Sequence, residues 1–279
     1  MLLSLGPPHD PYGTVPEKYR AMYRDGPIAL RANVPADKAE EATKNLRGYY
    51  AHIAALDACV ARLRQAVAES GSGESDHGDM LQSQGTHHKQ QPWDESLRVP
   101  FLVHYPRVLG RRRRESVTPI DAPDEMPTLL GLSGLERPES VQGVDYSPLI
   151  RGTKKDEAEP AGLLHLPASF SVVRRLWIAE YQGARMSRYT YVRSIEGPWL
   201  LYANRTDPFQ KRNLVGQAGQ RDLQARLERR LEAMPKRVED EFLPGARYVE
   251  RAKAAHYREV TAAIGETKSP WGDWASTLR

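Results

Sequence analysis

The chain has 279 residues, of which 40% are hydrophobic, so it can bury one large domain or two smaller ones. Its formal net charge is only +4, and the basic run Arg111–Arg114 has no aromatic residues interleaved, so we expect no nucleic-acid partner. The single cysteine, Cys59, excludes an intrachain disulfide, and no apolar stretch is long enough to cross a bilayer, so we expect no membrane partner. The first residues do not resemble a signal peptide, which predicts a cytoplasmic protein.

Strand-like and helix-like segments alternate through the first half of the chain, which favours an α/β domain with a mostly parallel sheet. The long helix is predicted because apolar residues recur at helical spacing. The predicted elements are a strand end at Leu2–Leu5, a short helix over 16–23, a long helix over 37–70 closed by Gly71–Gly73, a strand over 97–105 and a short helix within 118–131 that starts at Pro127.

Strand patterns cluster in the second half, which predicts a small antiparallel sheet followed by an amphipathic helix. A charged segment over 152–160 is the candidate linker. We therefore predict three parts, residues 1–152, 161–245 and a helical polar tail over 246–279. The predicted elements are strands at 163–165 and 172–181, a hairpin of 189–194 with 199–202, a helix over 220–234 and a polar helix from 249.

The most informative stretch is Ser75–Met80, with the sequence Ser-Asp-His-Gly-Asp-Met, followed by Lys89 and then Pro92–Phe101. An adjacent Asp and His can both ligate one divalent metal ion, and a lysine a short loop later can neutralise an anionic substrate held on that metal. These residue types in this order predict a metal ion that holds an anionic substrate.

This ordered pattern resembles the sulfatase family of the alkaline phosphatase superfamily, whose strand ends in Ser-Asp-His/Asn-Gly before a lysine and a Pro-Trp/Tyr-Asp/Glu-Glu-Ser run. Residues 183–193 and 200–210 are also similar to motifs of that family, so the resemblance extends from residue 1 to about residue 245. It implies an incomplete alkaline phosphatase-like doubly wound sheet over 1–152, part of the catalytic domain. A small antiparallel sheet with a C-terminal helix would follow over 161–245.

The resemblance implies a divalent metal ion with Asp76 and His77 as two of its ligands. The family generally uses Ca²⁺, whereas the imidazole of His77 makes Mn²⁺ or Zn²⁺ an alternative. The alternative for the two residues themselves is a loop aspartate that caps a turn and a solvent-exposed histidine.

Three further residues are assigned by their motif positions. Lys89 would pair with a sulfate or phosphate oxygen, as a catalytic and substrate-binding residue, and His88 beside it, or alternatively His87, would contact substrate. His9, in a Pro-His-Asp-Pro loop, would protonate the leaving group as general acid. The alternatives are a surface lysine, a solvated histidine and a histidine that only bonds a loop carbonyl. If the functional assignment holds, Asp76, His77, Lys89 and His9 converge on one cleft at the carboxyl ends of parallel strands.

Two features depart from the family pattern. The Cys-x-Pro-Ser-Arg motif that yields the formylglycine nucleophile is absent, as are the two early metal-binding aspartates, and Cys59 lies in the middle of a predicted helix. The apolar strand expected before Ser75 is also missing. We therefore expect a truncated chain, inactive alone unless a separate N-terminal half or a homo-oligomer completes it.

The resemblance predicts a sulfuric ester hydrolase acting on a small sulfate ester. The alternatives are a phosphoric or phosphonate monoester hydrolase of the same superfamily and a non-catalytic sulfatase remnant that serves as an interaction domain.

Overall fold

The computed structural model describes residues 6–66, 71–74, 76–155, 160–168, 180–234 and 241–251. The chain divides into two compact units: the first comprises residues 1–89 and 95–112, and the second comprises 90–94 and 113–279. The predicted division into 1–152, 161–245 and 246–279 stays a prediction. Of the helices that the structure describes, none combines the length and apolar character that a membrane span requires.

The first unit is built around one long helix. Ala42, Leu46 and Ala51 are buried along it, as the helical spacing predicts. Gly48 lets the loop at Tyr12 lie directly on the helix, because a Cβ at that position would be 2.4 Å from the Tyr12 carbonyl oxygen. The elements of this unit are α1 (Glu17–Arg20), α2 (Ala39–Ala66), β1 (Gly71–Glu74), α3 (Asp94–Leu97, whose first residue belongs to the second unit), β2 (Phe101–His104) and α4 (Pro106–Leu109).

The segment before the Asp-His-Gly motif differs from the prediction. Gly71–Gly73 was expected to end a helix and no strand was expected before Ser75, yet Gly71–Glu74 forms β1, which pairs antiparallel with β2. The ladder depends on backbone N–H and C=O groups, so glycine and serine can form it without the apolar side chains that sequence patterns detect.

The predicted mostly parallel sheet is not seen among the described strands of this unit, since the ladder between β1 and β2 is antiparallel. The Leu2–Leu5 strand lies outside the described residues. The strand observed here is shorter than the one predicted over 97–105. Asp94–Leu97 forms α3 instead, and Pro100 lies directly before β2 and has no N–H group to donate to the ladder.

The second unit contains a four-stranded antiparallel sheet in the order β3-β4-β5-β6. Its core lies between this sheet and α7, where Tyr191 and Leu201 pack with Leu227 and Leu231. The elements are α5 (Ala122–Ser133), α6 (Ser147–Arg151), β3 (Ala161–Leu166), β4 (Tyr181–Met186), β5 (Tyr189–Ser194), β6 (Gly197–Ala203), α7 (Arg221–Ala233) and α8 (Gly245–Arg251).

The predicted antiparallel sheet and the helix after it are therefore confirmed. The helix expected to begin at Pro127 begins instead at Ala122, because Asp121 and Asp124 form a capping box and a proline is tolerated in the first turn. Residues 172–179 of the strand predicted over 172–181 lie outside the described residues. The tail beyond residue 251 also lies outside them.

Candidate active site

The Asp-His-Gly loop is held against the loop that precedes β2. The Gly78 amide donates to the Ser96 carbonyl at 2.8 Å. A Cβ on Gly78 would lie 1.9 Å from the Glu95 carbonyl oxygen, so no other residue fits without a shift of the backbone. Glycine is thus required for close backbone approach, and this contact fixes where His77 lies.

The chain from Met80 to Lys89 is a tight loop with an unusual backbone. The Met80 amide donates to the His88 carbonyl at 2.9 Å, and Met80 itself is fully buried. Leu81, Gln82, Gln84 and His88 all have positive φ angles, which non-glycine residues rarely adopt. Such residues cluster at functional sites, where the surrounding structure maintains them.

The central feature of the site is the ammonium of Lys89 between two imidazoles. Its Nζ lies 2.9 Å from Nε2 of His9 and 2.9 Å from Nε2 of His77. The two rings lie edge to face with their centroids 5.6 Å apart. The structure therefore brings together His9, His77 and Lys89. Along the chain, His9 is 80 residues from Lys89 and His77 is 12 residues from it.

The hydrogen bonds at the other ring nitrogens determine the tautomers. His9 Nδ1 is 2.9 Å from the Asp10 carbonyl oxygen, and His77 Nδ1 is 2.7 Å from the Gly78 carbonyl oxygen. A carbonyl oxygen only accepts, so Nδ1 donates in both rings. Each neutral ring then presents a lone pair on Nε2, which accepts from the Lys89 ammonium.

The predicted metal ligand Asp76 lies at the open edge of this cluster. Its carboxylate oxygen is 3.7 Å from His77 Nε2, and its side chain is 89% exposed, against 25% for His77. Within the described ranges, no group of three or more His, Cys, Asp or Glu residues is arranged to hold a metal ion. The structure thus shows a pair of candidate ligands rather than a complete site.

Asp10 is a site residue that motif reasoning missed. Its carboxylate lies 2.9 Å from Nδ1 of His9 and 3.6 Å from Nδ1 of His88. It therefore links the predicted general acid to the predicted substrate-binding histidine. Its position directly after His9 was the available sequence clue.

Asp79 and Tyr12 were also missed, and they join the two loops of the site. The Tyr12 hydroxyl donates to the Asp79 carboxylate, whose other oxygen accepts from the Leu81 amide at 3.1 Å. Burial, and then the charge of Asp79, raise the pKa of Tyr12 far above its ordinary value. The tyrosine therefore stays protonated and keeps donating, which ties the His9 loop to the Asp-His-Gly loop.

His87 lies beside His88, with ring centroids 4.5 Å apart. Burial, and then His88, lower the pKa of His87 to about 4. His87 is therefore neutral near pH 7 and adds no positive charge beside the ammonium of Lys89.

Asp94 and Glu95 each form an ion pair within their own unit. The Asp94 carboxylate accepts from Arg185 Nε at 3.0 Å and Nη2 at 2.8 Å, within the second unit. Glu95 accepts from Arg31 Nε at 2.6 Å and from the Asn33 amide at 2.8 Å, within the first. Cys59 is exposed in α2.

Two family models match the chain. The model described as Sulfatase matches residues 1–135, and the model described as N-sulphoglucosamine sulphohydrolase, C-terminal, matches residues 83–237. The ulvan-active sulfatase of Formosa agariphila is 32% identical over 286 residues, and the endo-4-O-sulfatase of Bacteroides thetaiotaomicron is 29% identical over 241 residues. These alignments cover 96% and 77% of this chain but 55% and 47% of the relatives, so the chain spans about half the length of the curated relatives it matches.

Solved structures agree with the predicted α/β class. A Bacteroides fragilis protein assigned as a sulfatase has a TM-score of 0.74 and 26% identity, over 85% of this chain and 53% of its own. The phosphonate monoester hydrolase of Agrobacterium radiobacter has a TM-score of 0.66 and 22% identity, over 83% of this chain and 55% of its own, which shows the shared fold alone.

Proposed function

Because the chain belongs to the sulfatase family, whose members hydrolyse sulfuric esters, we propose that it supplies the anion-binding and leaving-group side of a sulfatase active site. The observation that carries the proposal is the single ammonium of Lys89 between Nε2 of His9 and Nε2 of His77. We further propose a sulfated saccharide as substrate. This is supported by similarity to an N-acetylglucosamine-6-O-sulfatase and by the fold shared with a structure that holds D-glucosamine-2-N,6-O-disulfate.

Lys89 would bind the sulfate group. A lysine ammonium has three N–H donors, and the two imidazoles use two of them in the structure. The third can donate to a sulfate oxygen while the rings hold the ammonium in place. This charge-assisted hydrogen bond offsets the negative charge of the ester.

His9 would deliver the proton to the leaving alkoxide. With Nδ1 donating to the Asp10 carbonyl, Nε2 has to acquire a proton before it can act as an acid. The nearest source is the Lys89 ammonium at 2.9 Å. Transfer from Nζ to Nε2, and from Nε2 to the alkoxide oxygen as the incoming nucleophile bonds to sulfur and the S–O bond breaks, would release a neutral alcohol. Lys89 would be left as a neutral amine that solvent reprotonates before the next turnover.

Asp76 and His77 fit part of a divalent metal site. His77 carries its lone pair on Nε2, the tautomer a metal requires, and the Asp76 oxygen at 3.7 Å is close enough for both to reach one ion. A bound ion would supply positive charge opposite the sulfate. In the structure His77 Nε2 accepts a hydrogen bond from Lys89 Nζ, so His77 would have to release this ammonium before it could bind a metal ion. The ammonium would keep its hydrogen bond to His9.

We do not assign the nucleophile or the remaining metal ligands to any of these residues. The sequence contains no Cys-x-Pro-Ser-Arg motif. We propose that polypeptide outside the 279 residues supplies both, which the half-length match to the relatives supports. The alternative activity, hydrolysis of phosphate or phosphonate esters, is supported only by the shared fold. The ligand-binding experiment described next distinguishes it from sulfate ester hydrolysis.

Replacement of Lys89 by methionine should weaken binding of glucose 6-sulfate by at least tenfold. The loss of one charge-assisted hydrogen bond is worth about 1.5–3 kcal/mol, and 1.4 kcal/mol corresponds to a factor of ten. The amide shifts of residues 76–89 during an NMR titration would measure the affinity. Lys44→Met is the matched control, because Lys44 is an exposed lysine on α2.

Equal affinities of the Lys89→Met and Lys44→Met variants would contradict the anion-binding role. A phosphonate monoester carries the same single charge as a sulfate monoester. If it bound more tightly to the unmodified chain, the phosphonate alternative would be favoured.

The chain alone should bind divalent ions weakly, with Mn²⁺ or Zn²⁺ preferred over Ca²⁺. Two protein ligands are fewer than a tight site supplies, and an imidazole suits Mn²⁺ or Zn²⁺ better than Ca²⁺. In calorimetric titrations His77→Ala should abolish the preference. His104→Ala, at an exposed histidine of β2, should leave it intact. Tight Ca²⁺ binding that survives His77→Ala would place the metal site elsewhere.

A further inference from the structure

A small cavity in the second unit lies beside the turn between β4 and β5. Its volume is about 50 Å³. The buried side chains of Met186 and Leu227 form part of its wall. The remaining lining residues are polar or aromatic and come from the turn and from α7: Ser187, Arg188, Tyr189, Arg226 and Arg230.

Three arginines therefore meet at one cavity. Arg226 and Arg230 are four residues apart on α7, so they lie on the same face of the helix. Arg188 approaches from the turn, and its guanidinium carbon lies 5.6 Å from the centre of the Tyr189 ring, which helps to fix its direction. Like charges at this helical spacing destabilise a helix, so the arrangement has a cost unless something negative offsets it.

Two of the three guanidinium groups, those of Arg188 and Arg226, are not neutralised by a carboxylate of the described residues. Within the described ranges neither Arg188 nor Arg226 forms an ion pair, although Asp222 precedes Arg226 by one turn of α7. Glu228 of the same helix is occupied elsewhere, by Arg193 Nη1 at 2.6 Å and by the Tyr191 hydroxyl.

We propose that this cavity, the Arg188–Arg226–Arg230 pocket, binds the tetrahedral oxyanion of a sulfate or phosphate ester. Guanidinium groups present paired N–H donors in a fork that matches such oxygens, and the Ser187 hydroxyl adds another donor. The apolar wall keeps water away from one side of the anion, which strengthens each charged hydrogen bond. The pocket shares no residue with the Lys89 site, so the proposal stands independently of the proposed function.

The test is an NMR titration of the 279-residue chain at constant ionic strength, with glucose 6-sulfate, glucose 6-phosphate and sodium chloride in separate arms. We expect saturable shifts of the amides of Ser187, Arg188 and Leu227 with at least one of the two esters. The ester that binds more tightly identifies the source of the oxyanion. Arg226→Gln and Arg230→Gln should each weaken this binding at least fivefold, whereas Lys89→Met should not affect it.

Arg229→Gln is the matched control, because Arg229 is an exposed arginine of α7 that does not line the pocket. It removes the same charge and should leave the affinity within twofold. The proposal is overturned if the shifts do not saturate, if chloride reproduces them, or if Arg229→Gln weakens binding as much as Arg226→Gln. Circular dichroism melting of each variant excludes loss of the fold as the cause.

Discussion

Replacement of Asp94 by alanine should lower the free energy of unfolding of the second unit by about 3 kcal/mol, the lower end of the range for breaking a buried ion pair, because this pair is part-buried. The Asp94 and Arg185 side chains are only 13% and 20% exposed, and the pair is held by two hydrogen bonds. Without the carboxylate, the guanidinium of Arg185 keeps its charge in a poorly solvated position. Urea denaturation followed by tryptophan fluorescence would measure the effect, since Trp93 is buried next to Asp94.

Two further variants test this physical reason. Glu115→Ala breaks an exposed ion pair with Arg113 and should change stability by less than about 1 kcal/mol. Arg185→Met in addition to Asp94→Ala should recover part of the loss, because it removes the unpaired charge. If Asp94→Ala were no more destabilising than Glu115→Ala, the ion pair would not anchor the Pro92–Asp94 segment.

The Gly78→Ala variant should lose about 1–3 kcal/mol of stability in the first unit, the usual range for overpacking. The new Cβ would come within 1.9 Å of the backbone oxygen of Glu95, and backbone cannot move aside as a flexible side chain can. We expect the Gly78–Ser96 hydrogen bond to break and His77 to move away from Lys89. Binding of glucose 6-sulfate should weaken together with stability.

Gly13→Ala provides the comparison for Gly78→Ala. Nothing lies within 4 Å of a Cβ at Gly13, so this variant should change stability by no more than about 0.5 kcal/mol. Denaturation curves and the amide shifts of residues 76–89 would separate the two variants. A Gly78→Ala chain as stable as Gly13→Ala, with unchanged shifts, would show that the close approach does not position His77.

The two loops of the candidate site are held by different means, and this affects how their variants should be interpreted. The Asp-His-Gly loop depends on backbone contact at Gly78, whereas the His9 loop is tied through Tyr12 to Asp79. A loss of anion binding in a Gly78 variant would therefore reflect position, while a loss in Lys89→Met would reflect charge. Stability measurements distinguish the two cases.

The sequence by itself determined the family, the α/β class and the small antiparallel sheet with its helix. Periodic patterns were sufficient for α2 and for the strands and helix of the second unit, because their buried faces repeat at the period of the element. The ordered pattern of Ser75–Met80, Lys89 and Pro92–Phe101 was enough to identify the family, since its parts lie within one short stretch.

Only the tertiary structure decided which side chains meet at the site. His9 and Lys89 are 80 residues apart, and Tyr12 and Asp79 are 67 apart, so no local pattern could pair them. The strand β1 escaped prediction because a ladder of backbone hydrogen bonds leaves no mark on the side chains of glycine and serine. The Arg188–Arg226–Arg230 pocket likewise exists because the packing of α7 on the sheet brings a turn and a helix face together, and sequence spacing does not encode that contact.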